Sequence, residues 1–325
     1  MKLVAISRIL DEADIIEAFI RHTAAFAEHH IILDNGSTDG TVEILHSLAK
    51  EGFNLSVYQN HAVSFSEQAF MTFMYNEAVR EHGADWVACL DGDEFIDDRL
   101  SPEGLNNFLE TVDTRVTCLQ LPWVHYNYTR EDNSDENIVP KRMVHRTEPV
   151  EDFKVIVSGS LYGKNITIDN GGHAILIDGK RLANENIIGH IRLAHYSERS
   201  AFQTIVKFTR GWIKAKAAGQ EITSQNISWH YKGPFETLRD RPSDLLRSDW
   251  FMNFKGERPD SVIDPINYRG GDLRYTSNID PAMLAARSLA GYMEALGVRH
   301  GELIDTFPNV KNFVETGNQK HIRII

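Results

Sequence analysis

The chain has 325 residues, of which 42% are hydrophobic and 25% are charged, a composition typical of a globular protein with a full hydrophobic core. Lys and Arg number 34 against 46 Asp and Glu, and the resulting net charge of −12 argues against a nucleic acid as partner. The sequence has no apolar run near the roughly 18 residues of a membrane helix, no signal peptide, and only two cysteines, Cys89 and Cys118, in apolar stretches typical of buried free thiols. We therefore expect a soluble, cytoplasmic protein without an integral membrane segment, for which peripheral membrane association stays open.

Short apolar runs alternate with amphipathic segments over the first 120 residues. Strands are predicted over residues 2–7, 30–34, 53–58 and 86–90. Helices are predicted over residues 14–27, from Thr41 with Asp39 as its N-cap, and after a capping box formed by Ser64 and Glu67. This alternation is typical of a parallel sheet with right-handed crossovers, so the predicted fold class is α/β.

The pattern changes after Pro102. Further strands are predicted over residues 116–124, 153–158, 165–169 and 174–177, and a long amphipathic helix over residues 197–218. Five of the ten prolines fall between Pro234 and Pro281, which predicts an irregular stretch dominated by loops. A last helix is predicted to begin with Asp280 as its cap and Pro281 as its first residue, and to stop at Gly297.

Polar side chains follow three of the predicted strands: Ser7 and Arg8 the first, Asp34 the second, and residues 91–94 the fourth. Ligands of an open parallel sheet bind outside the carboxyl ends of its strands. If the strand order is 3-2-1-4, the three loops line one crevice. A crevice with several carboxylates and a helix N-terminus suits a nucleotide that is bridged by a divalent metal ion.

Asp91, Gly92 and Asp93 form the most specific pattern in the chain. Two carboxylates separated by one residue can face the same ion where the chain leaves a buried strand, and the glycine lets the backbone approach a ligand closely. Such hard oxygen ligands favour Mg²⁺ or Mn²⁺, which in turn bind a diphosphate. The alternative interpretation is a solvated acidic turn.

Asp34 begins a segment, residues 34–40, whose Asn, Gly, Ser, Thr and Asp composition predicts a tight turn followed by a helix cap. Capping and ligand binding are compatible. Asp34 stands at the strand end, where it is placed to accept a hydrogen bond from a nucleotide base.

Three segments, in this order, resemble successive motifs of the family 2 glycosyltransferases and their GT-A fold: ISRILDEAD (6–14), IILDNGSTDGT (31–41) and DWVACLDGDEFI (85–96). Related proteins usually read Lys-Asn-Glu where this chain has Leu10, Asp11 and Glu12, so only Glu12 matches there. The resemblance implies nucleotide-binding roles for Ser7, Arg8, Asp34, Asp91 and Gly92, and metal ligation by Asp91 and Asp93.

A later run from His195 to Lys207 is similar to the H-x-x-x-R-S-x-x-Q-x-x-x-K pattern of one subgroup of these transferases. The resemblance implies that His195 completes the metal site and that Arg199 or Lys207 meets the departing diphosphate. The alternative for the helix that follows His195 is an ordinary amphipathic helix with a solvated basic side.

Trp123 matches a W-x-x-aromatic stretch of the same subgroup, which implies stacking on a sugar or acceptor; a core position at the sheet edge is the alternative. Inverting transfer also needs a carboxylate that deprotonates the acceptor. We expect Asp152 to be this catalytic base, because it precedes a strand in the part of the chain that should build the acceptor pocket. The rival carboxylates are Asp169, Glu185 and Glu198.

The resemblance implies a metal-dependent glycosyltransferase, using Mn²⁺ or Mg²⁺, that moves a sugar from a nucleoside diphosphate sugar, expected to be UDP-linked, to a hydroxyl of a glycan, lipid-linked or small-molecule acceptor. Residues 1–125 are expected to form the nucleotide-sugar-binding half of a GT-A-like domain with a mostly parallel sheet. Residues 126–220 would form its acceptor half, and residues 221–325 a helical and loop-rich extension. A sugar-phosphate nucleotidyltransferase and a catalytically inactive nucleotide-binding module are the alternatives.

Overall fold

The computed structural model describes residues 1–63, 67–129, 131–147, 152–182, 186–219, 229–242, 261–276 and 280–318. The first part of the chain alternates strands β1 (Leu3–Ile9), β2 (His29–Asp34), β3 (Leu55–Gln59) and β4 (Trp86–Cys89) with helices α1 (Ile16–Thr23), α2 (Thr41–Glu51) and α3 (Glu67–His82). A short strand β5 (Glu94–Asp97) and helix α4 (Gly104–Thr111) follow, and then the long strand β6 (Cys118–Asn127).

The middle of the chain is richer in strands. It contains helix α5 (Val139–Arg142) and strands β7 (His145–Arg146), β8 (Phe153–Ser158), β9 (Ile166–Ile168), β10 (Ile175–Ile177), β11 (Lys180–Arg181), β12 (Asn186–Ile187) and β13 (Arg192–His195). The last part contains helices α6 (Ala201–Ala217) and α7 (Trp229–Asp240), strand β14 (Val262–Ile263), and helices α8 (Pro281–Thr306) and α9 (Pro308–Asn318).

The main sheet has the strand order β14-β7-β6-β8-β4-β1-β2-β3, so the predicted order 3-2-1-4 for the first four strands is confirmed. Those four strands run parallel, whereas β8 is antiparallel to both β4 and β6. Strand β13 pairs with β5 and β6. The helices cover both faces, which confirms the predicted α/β class with a GT-A-like arrangement and a helical C-terminal region.

Each face of the sheet packs against its own apolar layer because side chains alternate along a strand. In β1, Leu3 and Ala5 belong to the cluster that includes α1 and α2, whereas Val4 and Ile6 belong to the cluster that includes α3. The fully buried β4 reads as a continuous apolar run for the same reason, since both of its faces are covered. Cys89 and Cys118 are buried thiols that are not joined in a disulfide, as predicted.

Three local predictions differ from the structure. The last helix does not stop at Gly297, which keeps helical geometry, but continues to Thr306, before Pro308. The stretch from Pro234 onward is not all loop, since α7 contains Pro234. Asp39 is not the N-cap of α2, because Gly40 holds that position, although the Asp39 carboxylate still accepts the Thr41 amide at 3.0 Å. Ser64, the first half of the predicted capping box, lies outside the described residues.

Glu17 joins the C-terminal region to the first helix. Its fully buried carboxylate accepts the backbone amides of Arg274, Tyr275 and Thr276 at 2.7, 2.8 and 2.6 Å, and the Arg21 guanidinium at 2.9 Å. Burial by itself would raise the pKa of Glu17, but these donors outweigh burial and lower it. The segment around residue 275 is therefore part of the same packed body as α1. None of the described helices combines the length and the hydropathy that crossing a bilayer requires.

Candidate functional site

The loops that follow β1, β2 and β4 meet at one edge of the sheet. The three strands are parallel neighbours, with Ile6 opposite both Ile31 and Cys89, so their carboxyl ends point the same way. The connection is reinforced by backbone hydrogen bonds from Asn35 to Ile9 at 2.9 Å and from Leu90 to Ile6 at 3.0 Å. The three loops thus lie side by side, as the predicted strand order requires.

The 91–93 segment forms a tight turn between β4 and β5. The Asp91 amide donates to the Glu94 carboxylate at 2.9 Å, and the Glu94 amide donates to the Asp91 carbonyl at 3.1 Å. A Cβ at Gly92 would lie 3.2 Å from Ile9 and 3.5 Å from Glu12, so the absence of a side chain lets the turn pack directly on the loop after β1.

Strand β13 brings His195 to this turn. It pairs antiparallel with β5, with His195 opposite Glu94, and the Tyr196 amide donates to the Asp93 carbonyl at 2.9 Å. As a result the Asp93 Oδ1 and His195 Nε2 atoms are 3.6 Å apart. Burial lowers the pKa of His195, which favours the neutral imidazole that binds metals.

Asp93 lies among positive charges. Its Oδ2 atom accepts a hydrogen bond from Lys207 Nζ at 3.2 Å and is 3.7 Å from Arg199 Nη1. Burial opposes ionisation, but Lys207 and His195 outweigh it and hold the pKa of Asp93 well below its usual range. Asp93 is therefore a carboxylate with one oxygen committed to Lys207 and the other facing His195.

Asp91 has a different partner, the fully buried Lys154 on β8. Lys154 Nζ lies 2.7 Å from Asp91 Oδ2 and 3.5 Å from Glu94 Oε1. Burial opposes the charge on Lys154, but the two acids outweigh it and raise its pKa. Burial also raises the pKa of Glu94 well above its usual range, so Asp91 is the acid of the pair that keeps its charge.

Arg199 is placed differently from expectation. Its guanidinium has no exposed surface and binds both oxygens of Asp14, at 2.8 and 2.9 Å, and Glu12 at 2.6 Å. It therefore anchors the start of the 195–207 run to the loop after β1 instead of facing a diphosphate. Burial dominates at Glu12 and raises its pKa to about 7 despite the nearby Arg199. Lys207, by contrast, is 27% exposed and lines the crevice.

The three residues predicted from the first two loops are held by protein contacts. The fully buried Ser7 hydroxyl lies 2.8 Å from His30 Nε2, so it joins β1 to β2 and does not face the crevice. Arg8 pairs with Glu67 at 2.5 Å. Asp34 is buried and accepts the amides of Gly36 and Ser37, at 3.1 and 3.2 Å, which is the turn-forming role that the 34–40 composition predicts.

Trp123 and Asp152 border the site on the side of β8. The Trp123 ring is half-buried, with its centroid 4.6 Å from that of His195, and its amide donates to the Asp152 carbonyl at 3.0 Å. Asp152 is exposed. Because it lies next to the site, Asp152 stays a candidate for the catalytic base. Its rival Glu185 and its neighbour Glu151 lie outside the described residues.

The sequence reading missed three residues of the site: Lys154, Glu94 and Lys214. Lys214 is buried on α6, with Nζ 2.5 Å from Asn35 Oδ1, and burial lowers its pKa to about 6. Glu94 could have been identified from the sequence, because it directly follows Asp91 and Asp93. Lys154 could also have been identified from the sequence, because a lysine inside the apolar strand FKVIVS is a buried charge that needs an acidic partner.

The donor set fits a divalent metal ion that shares its coordination with phosphate. Among the described residues no three Asp, Glu, His or Cys side chains form a ready-made metal centre. The facing Asp93 carboxylate and His195 imidazole nevertheless supply one oxygen and one nitrogen, and the buried His195 Nδ1 atom has no hydrogen-bond partner in the described part of the chain. Mg²⁺ and Mn²⁺ commonly take one or two protein ligands and complete their shell with water and substrate phosphates.

Comparison with solved structures gives distant similarities. The mannosyltransferase PcManGT from Pyrobaculum calidifontis, in complex with GDP-Man and Mn²⁺, is 11% identical, with 91% of this chain and 87% of that chain covered and a TM-score of 0.38. Glucosyl-3-phosphoglycerate synthase from Mycobacterium tuberculosis, in complex with Mn²⁺, UDP and glucosyl-3-phosphoglycerate, is 13% identical, covering 53% and 62%, with a TM-score of 0.30. A cytidylyltransferase from Leptospira borgpetersenii is 16% identical, covering 49% and 60%, with a TM-score of 0.26.

A mycobacterial protein is 15% identical, covering 53% of this chain and 58% of that chain, with a TM-score of 0.34. In several of these comparisons the chain therefore spans about three fifths of the other protein's length. No curated protein gives a significant sequence match. The sequence profile described as glycosyl transferase family 2 matches residues 9–171, a region that contains the loops after β1, β2 and β4. The match covers half of the chain, and the protein belongs to the glycosyl transferase family 2.

Proposed function

We propose that the protein transfers a sugar from a nucleoside diphosphate sugar, UDP-linked in the first instance, to an acceptor hydroxyl with inversion at the sugar carbon. The observation that carries this proposal is the pairing of Asp93 with His195 beside the partly exposed side chain of Lys207, at the carboxyl end of β4. A carboxylate, a neutral imidazole and an ammonium group at one point suit a metal-bound diphosphate better than an uncharged ligand.

The chain's own groups have separate tasks in this reaction. The acceptor oxygen forms a bond to the anomeric carbon while the bond from that carbon to the diphosphate oxygen breaks, and its electron pair stays on the diphosphate. Lys207 donates to the diphosphate as negative charge grows there. Asp152 accepts the proton of the acceptor hydroxyl. Asp93 and His195 would hold a Mn²⁺ or Mg²⁺ ion, which when bound offsets the charge of the diphosphate.

Trp123 supports this arrangement from the side of the acceptor. Its ring centroid lies 4.6 Å from that of His195, and its backbone amide binds the Asp152 carbonyl, so a sugar resting on the indole would lie near both the metal ligand and Asp152. Its indole nitrogen is buried and has no hydrogen-bond partner among the described residues. We propose that Trp123 contacts the transferred sugar or the acceptor.

Thermal unfolding with a panel of nucleoside diphosphates, with and without Mn²⁺, tests the donor site. A ligand that binds only the folded state at a hundredfold excess over its Kd stabilises by about 2.7 kcal/mol. We expect a Mn²⁺-dependent rise in Tm with UDP that disappears in Asp93→Asn. The rise should persist in the control Asp113→Asn, which changes an exposed acid that follows α4 and pairs with Arg115. No rise with any nucleotide at millimolar concentration would contradict the proposal.

A further inference from the structure

Helix α8 lies against the nucleoside end of the crevice, defined here as Leu10, Asp11 and the loop 35–38. The Thr38 hydroxyl donates to the Arg287 carbonyl at 3.2 Å, and the Tyr292 hydroxyl donates to the Val63 carbonyl at 3.0 Å. Between these two hydrogen bonds Gly291 packs on Thr38, and a Cβ at Gly291 would lie 2.4 Å from the Thr38 side chain. The helix is thus in direct contact with the loop after β2.

The space left between α8 and the nucleoside end is small. A cavity of about 20 Å³ lies there, bordered by Asp11, Asn35 and Gly36 on one side and by Gly291 and Tyr292 on the other. Pockets for drug-sized ligands measure about 300–1,000 Å³. This space has room for little more than a water molecule, so a nucleoside cannot lie between these surfaces while α8 is in contact with them.

Few residues of α8 are fully buried for a helix of this length, although it also packs on α6 and its Leu284 contacts the core around α1 and α2. Of the 26 residues of α8, only Ala285, Ser288 and Tyr292 are buried. Elements with few buried apolar contacts open locally at low free-energy cost. Helix α8 also lies outside residues 9–171, the part of the chain that matches the family profile.

We propose that α8 is a lid over the nucleoside end of the crevice, and that the nucleotide binds only the form in which α8 has moved away from Thr38. This inference rests on the proposed function, since it needs a nucleotide site at that end. The apparent affinity is then the intrinsic affinity multiplied by the fraction of open molecules, so a change that weakens the docking of α8 tightens nucleotide binding.

Two glycines of α8 provide a matched pair for the first test. Gly291→Gln introduces a side chain where a Cβ already clashes with Thr38, whereas Gly297→Gln introduces the same side chain where nothing lies within 4 Å. Both changes raise helix propensity equally. Calorimetric titration with UDP in the presence of Mn²⁺ should give a Kd at least about fivefold lower for Gly291→Gln and an unchanged Kd for Gly297→Gln.

The second test removes the two side-chain hydrogen bonds that dock α8. Thr38→Val removes the donor to the Arg287 carbonyl, and Tyr292→Phe removes the donor to the Val63 carbonyl. The double variant should bind UDP at least about fivefold more tightly than the wild type. Equal Kd values in the wild type, in Gly291→Gln and in this double variant would overturn the lid. The absence of UDP binding in every variant, including Gly291→Gln, would instead contradict the proposed nucleotide site itself.

Discussion

The Asp93 carboxylate faces His195 with one oxygen, at 3.6 Å, and binds Lys207 with the other, at 3.2 Å, so that one acid joins an imidazole of the kind that binds metals to a partly exposed cation. The contact depends on β13, which runs beside β5 and places His195 next to the turn after β4. A strand far along the chain therefore completes a site whose first half is built by the 91–93 turn.

Removing the amine of Lys207 should weaken UDP binding. Lys207 is held by the Ser197 carbonyl at 2.9 Å, and although burial opposes its charge, Asp93 outweighs burial and raises its pKa. Hydrogen bonds to charged groups contribute about 1.5–3 kcal/mol, so Lys207→Met should raise the Kd for UDP at saturating Mn²⁺ at least about tenfold. Lys216→Met, an exposed change on the same helix, is the control, and equal Kd values in the two variants would exclude a diphosphate contact by Lys207.

Replacing Lys154 should destabilise the fold. Lys154→Met leaves the Asp91 carboxylate without its partner at 2.7 Å. It also removes the cation that lies 3.5 Å from the buried Glu94 carboxylate. Breaking a buried pair costs about 3–5 kcal/mol, and since Asp91 is 30% exposed we expect about 3 kcal/mol in the free energy of unfolding. Urea unfolding measures it, with the exposed Lys164→Met as control; a loss below that of the control would show that the pair is dispensable.

His22 predicts how stability changes in acid. It is fully buried, its Nε2 atom lies 2.8 Å from the Ile96 carbonyl, and its Nδ1 atom accepts the Arg269 amide at 3.0 Å, so the ring is neutral. Burial lowers the pKa of His22 to about 4. Below its ordinary pKa of 6.5 the unfolded chain binds a proton that the folded chain does not, so stability falls as pH drops from 6.5 to about 4.

The size of this effect follows from about 1.4 kcal/mol per pKa unit, which gives about 3 kcal/mol over that pH range. His22→Gln should be less stable at pH 7 but should lose this part of the pH dependence, whereas the exposed His46→Gln should keep it. Urea unfolding at a series of pH values checks both. Parallel stability curves for the wild type and His22→Gln would show that His22 titrates alike in the folded and unfolded chains.

Asp152→Asn separates catalysis from binding. Asp152 is exposed and is not one of the groups that meet at Asp93, which contacts both His195 and Lys207, so it is a poor candidate for holding the nucleotide. We expect Asp152→Asn to lower kcat by about a hundredfold or more while the Kd for UDP stays unchanged. Asp135→Asn, another exposed acid, serves as the control. Full turnover by Asp152→Asn would transfer the role of base to another carboxylate, of which Asp169 and Glu198 are the described rivals.

The parallel half of the fold was predictable because its signals are local. The buried run at β4 and the acidic turn after it place Asp91 and Asp93 at the sheet edge without any tertiary information. The position of His195 was suggested by the 195–207 pattern. Strands β5 and β13 were not predicted, because each has only four residues and is stabilised by pairing with the other, which is distant in sequence.

The roles of charged residues were harder to predict than their positions. Arg199 and Lys207 share one side of the 195–207 run, yet the structure buries Arg199 against Asp14 and Glu12 and leaves Lys207 open to the crevice. The difference arises from the loop after β1, which is distant in sequence. The continuation of α8 past Gly297 has a similar origin, since a glycine ends a helix only where the chain takes up a left-handed conformation.

Strand β13 begins after residue 171, where the match to the family profile ends, and yet it lies between β5 and β6 in the centre of the fold. The Glu17 carboxylate likewise binds amides near residue 275. The evolutionary unit that the family profile recognises is therefore shorter than the cooperative unit that unfolds. Chimeras that exchange donor specificity between relatives should be joined in surface loops beyond β13, because a junction at residue 171 would separate Asp93 from the histidine that faces it.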